Sequence, residues 1–150
     1  MKTVTRSLLT AALLLFGSRT VVAQASITFT NGNGGTFTIA SAVAGANPTS
    51  VSKAAGNFTT STKKNDGILR IRAQLDQPMP ANTTLTLTLT YPAGTSQSPQ
   101  VLGITPVDMV VNIPSATTTR TGTVSYSFAA TASAGVLTPF TRIVTLTIVP

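Results

Sequence analysis

The residue types that usually carry enzyme chemistry are scarce in this chain of 150 residues. It has no histidine, no cysteine and no glutamate, and its only carboxylate side chains are Asp66, Asp76 and Asp108. This composition removes the imidazole acid–base groups, the thiol nucleophiles and the usual zinc ligands. A glycosidase would need two aspartates facing each other across a cleft, and their spacing does not suggest this. We therefore expect no enzymatic activity, no catalytic residue, no metal site and no cofactor.

Two short motifs match functional patterns, and for both we favour a structural interpretation. Ser50-Val51-Ser52-Lys53 has the S-x-x-K spacing of penicillin-recognising enzymes, in which the serine begins a helix and the lysine follows one turn later. The segment lacks helical periodicity, and the companion motifs of those enzymes are absent. Asn65-Asp66-Gly67 offers one carboxylate, whereas calcium needs six or more oxygen ligands, so we interpret it as a hairpin turn.

The first 25 residues have the features of a secretory signal peptide. Two basic residues precede the apolar run LLTAALLLFG, which is too short to span a bilayer. Small residues then occupy the positions that a signal peptidase reads before cleavage after Ala23 or Ala25. We therefore predict a signal peptide at 1–25 and one exported domain at 26–150.

The charge of this domain is low and moderately basic. From Ser26 onward, seven basic side chains stand against three acidic ones, which gives a net charge of +4 compared with +7 for the whole chain. A nucleic-acid-binding protein carries a dense basic patch, so we expect no nucleic-acid partner. We expect the domain to be secreted or held at the cell surface, with periplasmic transit in a two-membrane bacterium and no membrane span. Without cysteines, it must be stabilised by its hydrophobic core alone.

Strict alternation of apolar and polar residues predicts β-strands. In TTLTLTLTY at 83–91, the leucines fall on one side of an extended chain and the threonines on the other, as in a half-buried strand. Similar alternating or apolar segments occur at 26–30, 36–40, 68–75, 83–91, 101–104, 108–114, 123–130 and 142–149. We therefore predict an all-β fold, an antiparallel immunoglobulin-like β-sandwich of about 7–8 strands. Residues 41–60, which are small and polar, give no clear prediction.

The outward threonines and one basic cluster are the candidate surfaces. Threonine suits a solvated sheet face because its branched side chain favours extended backbone and its hydroxyl is polar; the alternative is a flat ligand-binding face. Lys63, Lys64, Arg70 and Arg72 form the only local concentration of basic residues. They are candidates for contact with an anionic polymer, or else a solvated face that deters edge-to-edge pairing.

The aromatic residues bear on whether the domain binds carbohydrate. Modules that bind sugars usually stack them on exposed rings, and this chain has no tryptophan. The alternation predicts inward positions for Phe29, Phe37, Tyr91, Tyr126 and Phe128, which leaves Phe58 and Phe140 as candidate exposed rings. Two rings are too few for a stacking platform, so the sequence favours a structural role over a carbohydrate- or polymer-binding module.

The alternating segments SITFT at 26–30 and RIVTLTIV at 142–149 predict a strand at each end of the domain. A signal peptide, one sandwich, threonine-rich strands and a terminal β-strand together resemble bacterial fimbrial subunits. In that family, an N-terminal strand donated by one subunit completes the sandwich of its neighbour. The resemblance implies that Ile27 and Phe29, with Phe37 and Ile39, are the donated side chains. It also implies self-association or assembly with other surface subunits, and an export chaperone as a further partner.

The same N-terminal residues also predict a private hairpin. ITFT-NGNGG-TFTIA has two alternating segments joined by a glycine- and asparagine-rich turn, which would pair residues 26–40 with each other. Either way, two functions remain open. The first is a non-catalytic structural subunit of a cell-surface fibre, pilus or extracellular matrix. The alternative is a secreted carbohydrate- or polymer-binding β-sandwich.

Overall fold

A computed structural model describes residues 25–31, 36–39, 46–97 and 99–150. Within these ranges the chain forms nine β-strands and one short 3-10 helix, Ala132–Ala134. The strands are β1 Ser26–Asn31, β2 Val51–Thr62, β3 Leu69–Leu75, β4 Thr83–Thr90, β5 Thr95–Ser96, β6 Gln100–Val101, β7 Val107–Ile113, β8 Thr118–Ala130 and β9 Val144–Val149. The predicted signal peptide lies outside the described residues, apart from its last residue, Ala25. No helix in the described part of the chain is long and apolar enough to cross a membrane.

The strands form two antiparallel sheets that pack face to face. Sheet A has the order β1-β2-β8-β4-β6, and sheet B has the order β5-β7-β3-β9. Side chains from both sheets fill the space between them, and Phe58, Ile71, Leu87, Met109 and Ile113 are fully buried there. The predicted antiparallel β-sandwich is confirmed, with nine strands in the described residues instead of seven to eight.

The alternating segments form strands because one set of side chains can be buried while the other stays wet. In β4, Leu85, Leu87 and Leu89 point into the core and the intervening threonines point outward. β8 lies between β2 and β4 and continues the same pattern over thirteen residues. Burial of each leucine contributes roughly 1.5–3 kcal/mol to the stability of the fold. In the strand order, β8 is the central strand of sheet A.

Most of strand β2 lies in the small, polar stretch 41–60, for which we made no clear prediction. Its first half, VSKAAGN, has no apolar alternation, and the pairing of β2 with β8 shifts register between Ala54 and Gly56. Gly56 has a φ of 121°, which a side chain would oppose. A β-bulge of this kind interrupts the two-residue period, and the strand is then invisible to a search for alternation.

Two further predictions needed correction in β6 and β7. In β7 both Met109 and Val110 are fully buried, because its pairing with β3 shifts register twice and turns consecutive side chains inward. The predicted strand at 101–104 is wrong beyond its first residue, since β6 ends at Val101. Leu102, which follows it, still enters the core and is 3% exposed.

Candidate functional site

The N-terminal strand β1 forms one edge of sheet A. It pairs antiparallel with β2, with Ile27 opposite Thr60 and Phe29 opposite Phe58. Ile27 is half-buried against the core, whereas Phe29 is 41% exposed. No other strand in the described residues pairs with β1, so its second edge presents backbone donors and acceptors to a further strand.

The edge of sheet B lies beside this strand. β9 is the last strand of sheet B and pairs with β3 alone among the described strands, and β1 and β9 are close to each other across the gap between the sheets. We call this side of the sandwich, formed by β1 and β9, the seam. Two open strand edges therefore meet at the seam, one from each sheet.

Residues 36–39 pack into the sandwich without belonging to a strand of either sheet. The Phe37 ring lies 6.4 Å from the ring of Tyr126 and 6.2 Å from that of Phe128, measured between ring centroids. The Lys53 ammonium on β2 lies 5.7 Å from the centre of the Phe37 ring and donates a hydrogen bond to the carbonyl of Thr36. This lysine therefore holds both the ring and the backbone of the segment.

The predicted hairpin of residues 26–40 is wrong within the described residues. β1 pairs with β2, and residues 36–39 form no ladder with it. Two competing contacts explain this outcome. β1 forms backbone hydrogen bonds with the edge of β2, next to the buried Phe58. Phe37 packs against the rings of Tyr126 and Phe128. The four predicted assembly residues thus lie in two places: Ile27 and Phe29 on the edge strand, and Phe37 and Ile39 against the core.

Two of the four predicted basic residues form an ionic cluster on the outer face of sheet B. Arg72 Nε lies 3.0 Å from Asp108 Oδ1, and Arg70 Nη1 lies 3.6 Å from Asp108 Oδ2. Arg72 also donates a 3.4 Å hydrogen bond to the carbonyl of Pro106. One carboxylate therefore lies between two guanidinium groups, which lowers the net positive charge that this face offers to an anionic polymer.

The two lysines of the predicted cluster lie elsewhere. Lys63 and Lys64 are exposed in the turn that carries the chain from β2 in sheet A to β3 in sheet B. The turn predicted at this point is confirmed: the Lys63 amide donates to Asp66 Oδ2 over 2.6 Å, and the Asp66 amide donates to the Lys63 carbonyl over 3.2 Å. The lysines thus belong to a connection, and the arginines to a sheet face.

The three carboxylates have separate structural partners. Asp66 closes the β2–β3 turn, and Asp108 binds the two arginines of β3. Asp76 Oδ1 accepts a 2.9 Å hydrogen bond from the amide of Ile143, and the Asp76 amide donates to the carbonyl of the same residue. Among the described residues, no three histidine, cysteine, aspartate or glutamate side chains come together in a way that could hold a metal ion.

The prediction that Phe58 is an exposed ring is wrong. Phe58 is completely buried and stacks on Tyr91, with ring centroids 5.7 Å apart and an interplanar angle of 19°. The error follows from the missed strand β2, whose register turns this ring inward. Phe140 is 37% exposed, and the Arg142 guanidinium lies 5.1 Å from its ring centre. Of the two candidate rings, only Phe140 is exposed, and a guanidinium already lies against it.

A glycine accommodates the buried ring of Phe58. Gly122 on β8 pairs with Phe58, and a Cβ atom added to it would lie 2.4 Å from Phe58 Cζ and 2.7 Å from the carbonyl oxygen of Thr90. The ring thus occupies the space of a missing side chain. The Thr60 and Tyr91 hydroxyls hydrogen-bond to each other beside it, which satisfies both buried polar groups.

The burial of Tyr126 has an electrostatic consequence. It is 6% exposed and packs edge-on against Phe37. Burial disfavours the charged phenolate and therefore raises the pKa of Tyr126 above its ordinary value. The hydroxyl stays protonated at neutral pH, so this part of the core carries no charge.

The outer face of sheet A carries hydroxyl groups and no charge. On the three central strands β2, β8 and β4, the outward positions are almost all serine or threonine, and they face one another in register. The matched pairs are Ser61 with Thr119, Thr59 with Thr121, Ser52 with Ser127, Thr86 with Ser127, Thr88 with Ser125 and Thr90 with Thr123. The two charged residues on these strands, Lys53 and Arg120, pair with the buried Tyr126 and Thr60 and so belong to the inward side. We call the resulting uncharged surface the hydroxyl face.

Comparison with known proteins identifies no relative. No protein-family model, curated protein or solved structure matches this chain. Its function must therefore be inferred from the seam, the packed segment 36–39 and the two outer faces.

Proposed function

We propose that this chain is a non-catalytic structural subunit of a cell-surface fibre, pilus or extracellular matrix, exported by the signal peptide at 1–25. Copies assemble by β-strand addition, in which β1 of one copy pairs with β2 of the next copy and forms the seam there. The observation that carries the proposal is the position of β1, an edge strand with one ladder neighbour and a partly exposed Phe29. Its partners are other copies or other surface subunits, with an export chaperone before assembly.

The chain length between the elements supports exchange of β1 between copies. Residues 26–31 and 36–39 are separated by only four residues, so the two segments must move together in an exchange. The exchanged segment then carries all four predicted assembly residues. The connection from residue 39 to β2, which begins at Val51, comprises residues 40–50. Eleven residues can span roughly 36–40 Å when extended, which is enough to reach a neighbouring sandwich.

The energetics of such an exchange are favourable at high concentration. The same contacts with Thr60, Phe58, Tyr126 and Phe128 form whether the N-terminal segment comes from its own chain or a neighbour. The free energy of these contacts therefore largely cancels, and mass action sets the balance. Because each copy both donates and accepts a segment, head-to-tail exchange along a series of copies gives an open fibre, whereas reciprocal exchange between two copies gives a closed dimer.

A disulfide experiment tests the proposal directly, because the natural chain has no cysteine. Thr28 on β1 pairs with Thr59 on β2, and antiparallel partners lie within the distance that a disulfide bridges. In the double variant Thr28→Cys/Thr59→Cys, exchange at high protein concentration should produce a ladder of covalent oligomers on a non-reducing gel. The same variant oxidised at high dilution should give a closed monomer.

A second pair of positions provides the control. Thr59 also pairs with Thr121 on β8, in the interior of sheet A. The variant Thr59→Cys/Thr121→Cys should form its disulfide within one chain at every concentration. If the β1 pair also crosslinks only within one chain at high protein concentration, and the protein sediments as a monomer at that concentration, the exchange and the fibre function are both wrong.

The alternative function, a carbohydrate- or polymer-binding module, has less support. Ring stacking would rest on Phe140, which already packs against Arg142. Attraction of an anionic polymer would rest on Lys63 and Lys64 in the β2–β3 turn, since Arg70 and Arg72 on the face of sheet B share Asp108. These four basic residues form no single surface, whereas the seam brings two strand edges together.

A further inference from the structure

The hydroxyl face combines three properties that no other surface of the described residues shares. It lacks charge, it lacks aromatic rings, and its hydroxyls stand in register on neighbouring strands. Few of these hydroxyls form hydrogen bonds with other side chains of the protein. Those described are a 3.1 Å hydrogen bond between Ser52 and Ser127 and a 3.3 Å contact between Thr30 and Thr59. The hydroxyls of Thr86, Thr88, Thr90, Thr123 and Ser125 have no protein partner in the described structure and therefore bind water.

The spacing of these hydroxyls is set by the sheet. Directly opposite residues on antiparallel strands have Cα atoms about 4.5 or 5.5 Å apart in alternation, so the outward pairs of β4 and β8, at every second position, all share one of these two distances. Two water molecules that are hydrogen-bonded to a third at a tetrahedral angle, with bonds of about 2.8 Å, lie about 4.5 Å apart. Hydroxyls on adjacent strands can therefore bond to one shared water, as second neighbours do in a tetrahedral water network.

Threonine is suited to hold such a network. Its branched Cβ limits side-chain rotation, so little conformational entropy is lost when the hydroxyl is fixed by a bound water. Its methyl group packs against the matched residue on the next strand. In liquid water the network is transient, but at the surface of an ice crystal the molecules are already fixed, and many hydroxyls can bind at once.

Other occupants fit this face less well. An anionic polymer or mineral would need cationic side chains, and the two on β2 and β8, Lys53 and Arg120, pair with the buried Tyr126 and Thr60 on the inward side of the sheet. A polysaccharide usually stacks its sugar rings on aromatic side chains, and the outward positions of β2, β4 and β8 carry none. Because the face has neither cationic nor aromatic side chains, ordered water is the ligand that its hydroxyl groups fit best.

We propose that the hydroxyl face of sheet A binds ice, through the matched serine and threonine rows of β8 and β4. This inference does not depend on the fibre function, because a monomer carries the same face. A fibre would repeat the face and strengthen adsorption by multivalency.

Partition into a growing ice crystal tests the inference. The purified protein is frozen slowly from dilute solution, and its concentration is measured in the ice and in the remaining liquid. We expect the protein to be enriched in ice and to inhibit ice recrystallisation. The double variant Thr88→Lys/Thr123→Lys places bulky charges in two rows and should reduce partition to the level of a protein without ice affinity. The variant Thr88→Val/Thr123→Val keeps the shape, removes two hydroxyls and should give an intermediate value.

The control variant places the same charges on the other sheet. Thr95 and Ser96 are exposed residues of β5, on the edge of sheet B away from the seam, so Thr95→Lys/Ser96→Lys should partition like the unmodified protein. Circular dichroism and melting temperature must show that all variants are folded. The inference is overturned if the unmodified protein is excluded from ice, if the two lysine variants lose equal amounts, or if the protein sediments with insoluble cellulose or chitin but not with ice.

Discussion

The outer faces of the two sheets solve the same problem with different chemistry. Both must stay wet while their inner sides pack into one core. On sheet B, Arg70 and Arg72 of β3 meet Asp108 of β7, and the face carries ion pairs. On sheet A, the outward positions of β4 and β8 are hydroxyls in register, and the face is uncharged.

This difference separates what the fold requires from what it leaves free. Charged and hydroxyl side chains both keep a sheet face soluble, so a sandwich does not need one face to lack charge. Uncharged sheets also carry a risk, because charge on a sheet deters unwanted association. The mostly hydroxyl composition of this face is the basis of the ice-binding proposal, whereas the ion pairs of sheet B are accounted for by solubility alone.

The largest effect is expected from a substitution that tests whether inward positions contribute more to folding stability than outward positions do. Leu87 is completely buried in β4, and its neighbour Thr88 points outward. Leu87→Asp removes a buried leucine, worth roughly 1.5–3 kcal/mol, and buries an unpaired carboxylate at a further cost of several kcal/mol. Because domains of this kind are stable by about 5–15 kcal/mol, we expect this variant to be largely unfolded in a thermal melt.

The matched control for this test lies one residue away. Thr88→Asp adds the same carboxylate on the solvent side and should change the free energy of unfolding by less than about 1 kcal/mol. Equal, small effects of the two substitutions would show that β4 does not have the orientation described here.

The second test concerns the inner side of sheet A, where Phe58 lies over Gly122. Gly122→Ala would force the ring or the Thr90 carbonyl to move, because the new Cβ comes within 2.4 Å of the ring. We expect a loss of about 1–3 kcal/mol in denaturant unfolding, as for other overpacked cores. The control is Gly103→Ala, since a Cβ at Gly103 has no atom within 4 Å. A stable Gly122→Ala variant would contradict the close contact.

The smallest effect is expected on the outer face of sheet B. Asp108→Asn removes the carboxylate between Arg70 and Arg72, whose side chains are 47% and 41% exposed. Exposed ion pairs contribute about 0.2–1 kcal/mol, so the melting temperature should fall only slightly. The difference from the unmodified protein should disappear in about 1 M salt, because salt screens exposed charges. A larger loss that persists in salt would mean that this cluster, too, is more than a solvated face.

Alternation was sufficient to predict the strands whose inner and outer residues differ sharply. The segments of β3, β4 and β9 follow the two-residue period throughout, and their leucines and isoleucines are buried as predicted. The Lys63–Gly67 turn was also predicted from its composition. Such elements are local, because each residue's environment follows from the neighbours two positions away.

The remaining features depend on pairing between distant residues. The bulge at Ala54–Gly56 hid β2, and with it the burial of Phe58 and the true partner of β1. The hairpin at 26–40 was predicted from local sequence signals alone. The segment forms other contacts instead, with residues more than twenty positions away in the chain. The hydroxyl face was visible only as separate threonines, because its matched rows need the register of β2, β8 and β4.

The fit between Phe58 and Gly122 also constrains how this protein can change over evolutionary time. A side chain gained at position 122 has no room unless the ring at position 58 shrinks, so a change at 122 is expected to follow a change at 58. Once homologous sequences are aligned, the two columns should covary, with glycine retained wherever an aromatic ring is present.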